Sequence, residues 1–210
     1  MKPPDWRPPT LRTERLTLRA FEETDAAHLF AFASNPNVTR FTLWDTHKTP
    51  ADTLTFVRDY ARLRYREGAY EPYAITLNGE GIPIGVCGCF WAAELHRIME
   101  LGYWVAEPFW GRGIAGEASR AVIDRVFQDQ RPERLQARVI VGNVASTRVL
   151  EKLGFRYEGT LRSALLRRGK FEDVMFYSIL HSEWVGARGD VTGDPAAGGR
   201  ITSVVGRETT

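Results

Sequence analysis

The sequence predicts a mixed α/β fold of the α+β kind, in one domain that fills most of the chain. Three observations carry this. The 210 residues include 43% hydrophobic and 26% charged side chains, an ordinary globular composition with room for a full core. The hydrophobic period changes along the chain, from two-residue alternation to helical spacing, then to a block of alternating segments, then to helical spacing again. That block places several strands ahead of a glycine-rich turn, so strands and helices do not alternate one for one.

Residues 1–10 are Pro-rich and polar and read as an extension ahead of a domain spanning 11–185. Within 11–20, Arg15-Leu16-Thr17-Leu18-Arg19 alternates cleanly and predicts a half-buried strand. Thr24-Asp25 can cap a helix carrying Ala27, Leu29, Phe30 and Phe32, which Asn35-Pro36-Asn37 breaks. Residues 38–49 look irregular. A second helix over 50–67 has Leu54, Val57, Ala61 and Tyr65 at helical spacing, with Gly68 as its stop. Strands follow at 73–77, 82–90 and 97–105, the first two joined by the Asn78-Gly79 turn. Residues 113–128 return to helical period through Ile114, Ala118, Val122 and Val126. Then come a strand at 135–141, a short helix at 145–153 closed by Gly154, and a hairpin of 155–165 and 171–180 around Arg168-Gly169. From 186 the composition turns Gly-rich and patternless, so 186–210 reads as a tail. An alternative has its apolar patch, 201–205, docking as an extra strand.

Charge and cysteine usage exclude several function classes. Twenty-eight basic and 26 acidic residues leave a net charge of +2, without the basic stripe that a nucleic-acid reader shows. No run approaches the ~18 apolar residues of a membrane span. The first residues lack the apolar stretch of a signal peptide, so a cytoplasmic location is expected. Cys87 and Cys89 sit two apart on one strand, a poor geometry for a mutual disulfide. No second Cys pair accompanies them, and the four His show no ligand spacing, so no metal is expected.

The segment Gly111-Arg112-Gly113-Ile114-Ala115-Gly116 matches G-x-G-x-x-G. A dinucleotide fingerprint would end the next strand on a carboxylate, and here Gly142-Asn143 follows it. No Gly-Lys-Ser/Thr follows either, which excludes a P-loop. The physical content survives both labels. Glycines let backbone approach a ligand, and the unpaired N–H groups of a helix start favour a pyrophosphate. A strand-to-helix turn without a ligand is the alternative.

Four motifs in order now make a family recognisable. Leu11-Arg12-Thr13-Glu14-Arg15-Leu16-Thr17-Leu18-Arg19 comes first, followed by Glu100-Leu101-Gly102-Tyr103-Trp104-Val105 ahead of Trp110-Gly111-Arg112-Gly113-Ile114-Ala115. The stretch from Asn143 to Phe155, with Ser146 and Val149-Leu150-Glu151-Lys152-Leu153-Gly154-Phe155, is third. Gly169, Asp173, Tyr177, Ser178 and Leu180 close the set. Over roughly 11–184 this resembles the GNAT superfamily of N-acetyltransferases, in the branch that acetylates ribosomal-protein N-termini. The loop departs from the family consensus at its first position. The Tyr that many members carry seven residues after the Asn is here Leu150.

The resemblance implies a mixed, mostly antiparallel sheet with helices on both faces, and acetyl-CoA as cosubstrate. The strands ending near Val105 and Val141 should splay to hold the pantetheine arm, with backbone of Tyr103, Trp104 and Val105 beside it and Asn143 in contact. The pyrophosphate should meet the N–H groups of Arg112, Gly113, Ile114, Ala115 and Gly116, next to Gly111. The acceptor should be a primary amine, most simply a protein N-terminal α-amine. A small amine such as a polyamine or antibiotic, or a non-catalytic acyl-CoA-binding module, are the alternatives. A homodimer is an open arrangement.

Acyl transfer needs a neutral amine, a polarised thioester and a protonated leaving thiolate. Freeing a lysine-like amine near pH 7 costs about 4–5 kcal/mol, an α-amine about 1. Glu100, among Ile98, Gly102 and Trp104 on one strand face, is the candidate base, against a solvated position on an uncovered face. Ser146 shares a helix face with Val149, Leu150 and Leu153 and is the candidate acid, against a hydroxyl that merely bonds a helix carbonyl. Asn143 can also simply cap that helix. Phe41, Trp44, Tyr73 and Trp91, with Tyr70 and Phe90, come from segments expected to border the acceptor cleft, against plain core roles.

Overall fold

The computed structural model describes residues 6–187. Strand β1 (Leu11–Arg12) pairs with β2 (Leu16–Ala20), whose alternation buries Leu16 and Leu18 completely. Helix α1 (Asp25–Ala33) follows, without the expected Thr24 cap: Thr24 has helical backbone and makes no side-chain capping bond. Asp25 instead receives both Arg19 terminal nitrogens at 2.7 Å and the Glu22 N–H at 2.8 Å. A charge-assisted pair in a nearly buried setting thus ties β2 to α1. A single turn, α2 (Pro36–Thr39), capped by the Asn35 side chain, intrudes on the stretch expected to be irregular.

The expected second helix is three consecutive pieces: α3 (Pro50–Thr55), a π-helical segment Phe56–Ala61, and α4 (Arg62–Arg66). Val57, Ala61 and Tyr65 form its buried stripe. In a straight α-helix, residues four apart drift by about 40° per step, and the wider π turn reduces that drift. A second row, Phe56, Tyr60 and Arg64, therefore also runs nearly straight along one side.

Strands β3 (Tyr70–Leu77), β4 (Pro83–Ala93) and β5 (Ile98–Val105) form an antiparallel meander. Helix α5 (Ile114–Asp129) crosses over to β6 (Arg134–Ile140), which lies parallel to β5. Helix α6 (Val144–Leu153) leads into the hairpin of β7 (Arg156–Arg167) and β8 (Lys170–Leu180), and α7 (His181–Gly186) follows. The spatial order is β1-β2-β3-β4-β5-β6-β8-β7, antiparallel everywhere except between β5 and β6.

Helices cover both faces. On one, α5 and α6 pack Ile114, Val122, Val126, Leu150 and Leu153 against Leu16, Ile75, Met99 and Leu135. On the other, α1 and the 50–66 helix pack Leu29, Val57, Ala61 and Tyr65 against Phe21, Ala74 and Val86. Residues ahead of position 11 join this body: Trp6 stands edge-on to Tyr70 at 5.6 Å, and Arg7 donates to the Phe21 carbonyl at 3.2 Å. At the other end α7 runs through Gly186, where the tail was expected to begin, and Trp184 stacks on Phe127 at 5.0 Å. The rest of the expected tail, beyond 187, lies outside the described residues. No helix among the described residues is long and apolar enough to cross a membrane.

Candidate active site

The two parallel strands part company early. They pair only through Ile98↔Arg134, Met99↔Leu135 and Glu100↔Gln136, so 101–105 of β5 and 137–140 of β6 diverge. A cleft of about 580 Å³ runs through the gap, lined by Leu101, Gly102, Tyr103, Trp104, Ala137, Ile140, Asn143 and Ser146. Because side chains alternate along β5, Tyr103 points to the α5/α6 side, while Glu100, Gly102 and Trp104 point to the other. One opening therefore joins two chemically different half-sites.

Between the end of β5 and the start of α5 lies the glycine turn. Gly111 (φ 74°) and Gly113 (φ 77°) adopt left-handed backbone, which side chains resist. Gly113 is the N-cap of α5, and no side chain caps that helix. The first helical hydrogen bond joins Glu117 N–H to the Gly113 carbonyl at 3.0 Å, leaving the N–H groups of Ile114, Ala115 and Gly116 for an outside acceptor. A Cβ at Gly116 would meet no atom within 4 Å, so nothing in the protein itself requires glycine there. Arg15 anchors the turn from beneath, donating to the Arg112 carbonyl at 2.9 Å and to Glu117 at 2.6 Å. Trp110 ties it to β5, its indole N–H donating to the Val105 carbonyl at 2.6 Å. This bare, positively polarised helix end suits a pyrophosphate.

On the α5/α6 side, Ser146 Oγ lies 2.7 Å from Tyr103 Oη. The Ser146 hydroxyl does not fold back on its own helix; Thr147 does that, on the Asn143 carbonyl at 3.3 Å. Asn143 caps α6 through Oδ1, which accepts from Ser146 N–H at 3.3 Å. Burial pushes the Tyr103 phenol well above its ordinary pKa, so it stays protonated at neutral pH. Leu150 is fully buried in the core and cannot serve as a proton donor.

Across the split, Glu100 is almost fully buried. Its Oε1 accepts from Arg138 Nε at 2.8 Å and its Oε2 from Gln136 Nε2 at 3.0 Å. The solvated-face alternative thus fails, and the carboxylate's charge is already matched. Phe41 and Trp44 line this side of the cleft, with Trp44 tilted 5.6 Å from Trp104 and 5.1 Å from His47. Burial lowers the His47 pKa, which favours its neutral form. Phe56, Tyr60 and Phe90 complete the aromatic wall.

Three expected contacts of the acceptor cleft are corrected, and the first is Tyr70, which is buried on the α5 side with its hydroxyl donating to Asp129 at 2.6 Å. Tyr73 is fully buried on the α5 face of β3, its hydroxyl without a partner among the described residues. Trp91, one residue beyond Phe90, faces away from the cleft and packs on the larger core. Strand alternation allows only one of each neighbouring pair to face the acceptor side. Trp104, expected beside the pantetheine through its backbone, turns its side chain to the acceptor wall.

Two features escaped the sequence reading. One is the Tyr103 hydroxyl. The other is Glu71, a buried carboxylate lining the cleft, with Tyr60 Oη at 2.9 Å and Arg64 Nε at 2.8 Å on its Oε1. A signal for it exists: Glu71 is the one charge in the strand 70–77, held among apolar residues.

The chain as a whole is similar to known proteins. The profile of the acetyltransferase (GNAT) domain matches residues 15–156. An uncharacterized N-acetyltransferase p20 of Bacillus licheniformis is 33% identical over 180 residues, covering 84% of this chain and 99% of that protein. A putative ribosomal N-acetyltransferase YdaF of Bacillus subtilis is 30% identical over 186 residues, covering 83% of this chain and 96% of that protein. The crystal structure of a GNAT-family acetyltransferase from Bacillus anthracis superposes with a TM-score of 0.75 at 27% identity, covering 83% of this chain and all of that one.

Proposed function

The chain belongs to the GNAT acetyltransferase family, and from that premise we propose that it moves acetyl from acetyl-CoA directly onto a protein N-terminal α-amine. The observation that carries this reading is the single cleft through the β5–β6 split, with a hydroxyl pair on one side and carboxylates on the other. Bound acetyl-CoA supplies an activated acetyl thioester. The Ile114, Ala115 and Gly116 N–H groups would hold its pyrophosphate, and the diverging edges of β5 and β6, with Asn143, would hold its arm. Ser146, backed by Tyr103, would protonate the departing sulfur. Glu100 and Glu71 are the candidates for the amine's proton. Direct transfer is supported by the cysteines: both are buried, and burial pushes the Cys87 thiol up to about 12, far from a usable nucleophile.

A second reading, acetylation of a small cationic amine, is favoured by the two carboxylates beside an aromatic wall. A panel of peptides with free N-termini, polyamines and aminoglycoside-like amines, read by release of free CoA thiol, separates the two. The expected result is a kcat/KM for N-terminal peptides at least tenfold, in order of magnitude, above that for any small amine. The reverse order would establish the second reading, and no transfer to any acceptor would leave only an acyl-CoA-binding module.

A further inference from the structure

The two acceptor-side carboxylates differ in what their oxygens already do. Glu100 has one donor on each oxygen, from Arg138 and Gln136. Glu71 takes both of its donors, Tyr60 and Arg64, on Oε1. No described residue donates to Glu71 Oε2, and the residue borders the cleft. Resting on the amine-acetylating reading above, we propose that Glu71 is the carboxylate that takes the proton of the acceptor amine, while Glu100 serves as a charge-matched wall.

The strands are shaped for this. A Cβ at Gly88 would stand 2.3 Å from the Glu71 Cβ and 2.7 Å from its Cα, so glycine at 88 lets Glu71 lie flat over β4. Gly102, the cross-strand partner of Gly88, would direct its Cβ into open space. The cleft lining at Gly88 and Gly102 is therefore bare backbone, with no side chain between the strands there. Tyr60 and Arg64 come from the π-widened helix, and Arg64 is steadied 5.5 Å over the Phe90 ring. Burial raises the Glu71 pKa despite these partners, which brings the carboxyl nearer to a useful base at neutral pH.

The step balances as follows. The acceptor enters as an ammonium and gives one proton to Glu71 Oε2. The freed lone pair forms a C–N bond to the thioester carbonyl carbon, and the C–S bond breaks with its electron pair on sulfur. The thiolate takes a proton from the Ser146–Tyr103 pair, and the nitrogen loses its second proton through solvent to restore that pair. Glu71 then releases its proton to solvent, for a net yield of amide, free CoA thiol and one proton.

The test compares Glu71→Gln and Glu100→Gln in the full chain, with acetyl-CoA affinity by calorimetry as a folding control. Glu71→Gln is expected to lower kcat by about tenfold to a hundredfold at pH 7, the range of base contributions, with acetyl-CoA affinity within about twofold. Its deficit should shrink towards about pH 9.5, where more of the amine is already neutral. Tyr60, His47, Glu100 and Arg138 line the same cleft, Arg64 donates to Glu71 and Glu67 pairs with Arg64; all are kept in this variant, so they affect both profiles alike. A Glu71→Gln kcat within about threefold of wild type, or a deficit constant with pH, overturns the assignment. Should the Gln variant lose acetyl-CoA binding, Glu71→Asp decides: a kcat between the two supports the base, and a wild-type kcat overturns it. A wild type that acetylates no amine overturns both this assignment and the activity beneath it.

Discussion

Ser146 and Tyr103 share one 2.7 Å contact, and either hydroxyl can be its donor. A proton donor acts only as charge develops on sulfur, so its loss burdens the transition state more than the ground state. Ser146→Ala is expected to lower kcat by about tenfold to a hundredfold with KM for acetyl-CoA little changed. If the two hydroxyls work as one relay, adding Tyr103→Phe costs nothing further. A double variant whose losses multiply would mean that each acts alone. The first of these residues was readable from helical spacing, because Ser146 shares a face with buried Leu150 and Leu153. The second was not, since nothing local says that the middle of β5 meets the start of α6, 43 residues on. Tyr73 shows the opposite failure: an aromatic ring in an apolar strand looks the same whether it faces core or cleft. Which face applies depends on register, and β3 carries an irregularity between Tyr70 and Tyr73 that shifts the phase.

The glycine turn and α5 behave as one element. Gly111 and Gly113 answer to backbone geometry, and Gly116 does not: it is helical and would face open space. Inside a helix glycine is worse than alanine by roughly 0.5–1 kcal/mol. Gly116→Ala should therefore raise the melting temperature while weakening acetyl-CoA binding by about tenfold, because the added methyl stands where a phosphate approaches the bare N–H groups. Calorimetry and thermal melting check both halves. A stabilised variant with unchanged affinity would move the pyrophosphate elsewhere. Sequence reading reached this turn because strand, glycines and helix are contiguous there. The π-helical segment was out of reach, since Val57, Ala61 and Tyr65 keep a spacing of four that an α-helix also shows. Of the Thr24-Asp25 pair expected to cap α1, Thr24 makes no capping bond, and Asp25 takes over the helix start by accepting from the Glu22 N–H and from Arg19.

At the scale of the whole molecule, the acceptor side is closed by two regions more than a hundred residues apart. Arg168, at the tip of the β7–β8 hairpin, donates to Asp45 at 3.0 Å and to the carbonyls of Thr39 and Trp44 at 3.0 and 3.3 Å. The same hairpin lends Leu165 and Val174 to the wall of the cleft that Phe41 and Trp44 also line. The ion pair alone is worth little, because Asp45 is 79% exposed. The two carbonyl bonds, both from one charged nitrogen, weigh more: hydrogen bonds to charged groups reach about 1.5–3 kcal/mol net, and partial exposure of Arg168 puts these towards or below the lower end. Their loss should free residues 39–45, which carry Trp44, and leave the glycine turn untouched. Arg168 and Gly169 both have positive φ, at 51° and 76°, as a two-residue hairpin turn requires. Arg168→Asn suits that backbone, so it probes the clamp without breaking the turn. KM for the amine is expected to rise by about threefold to tenfold, with KM for acetyl-CoA unchanged. Steady-state kinetics with each substrate varied in turn reads this directly. A rise confined to acetyl-CoA would show that the hairpin serves the donor side, and no change in either would show that 39–45 holds its place without the clamp.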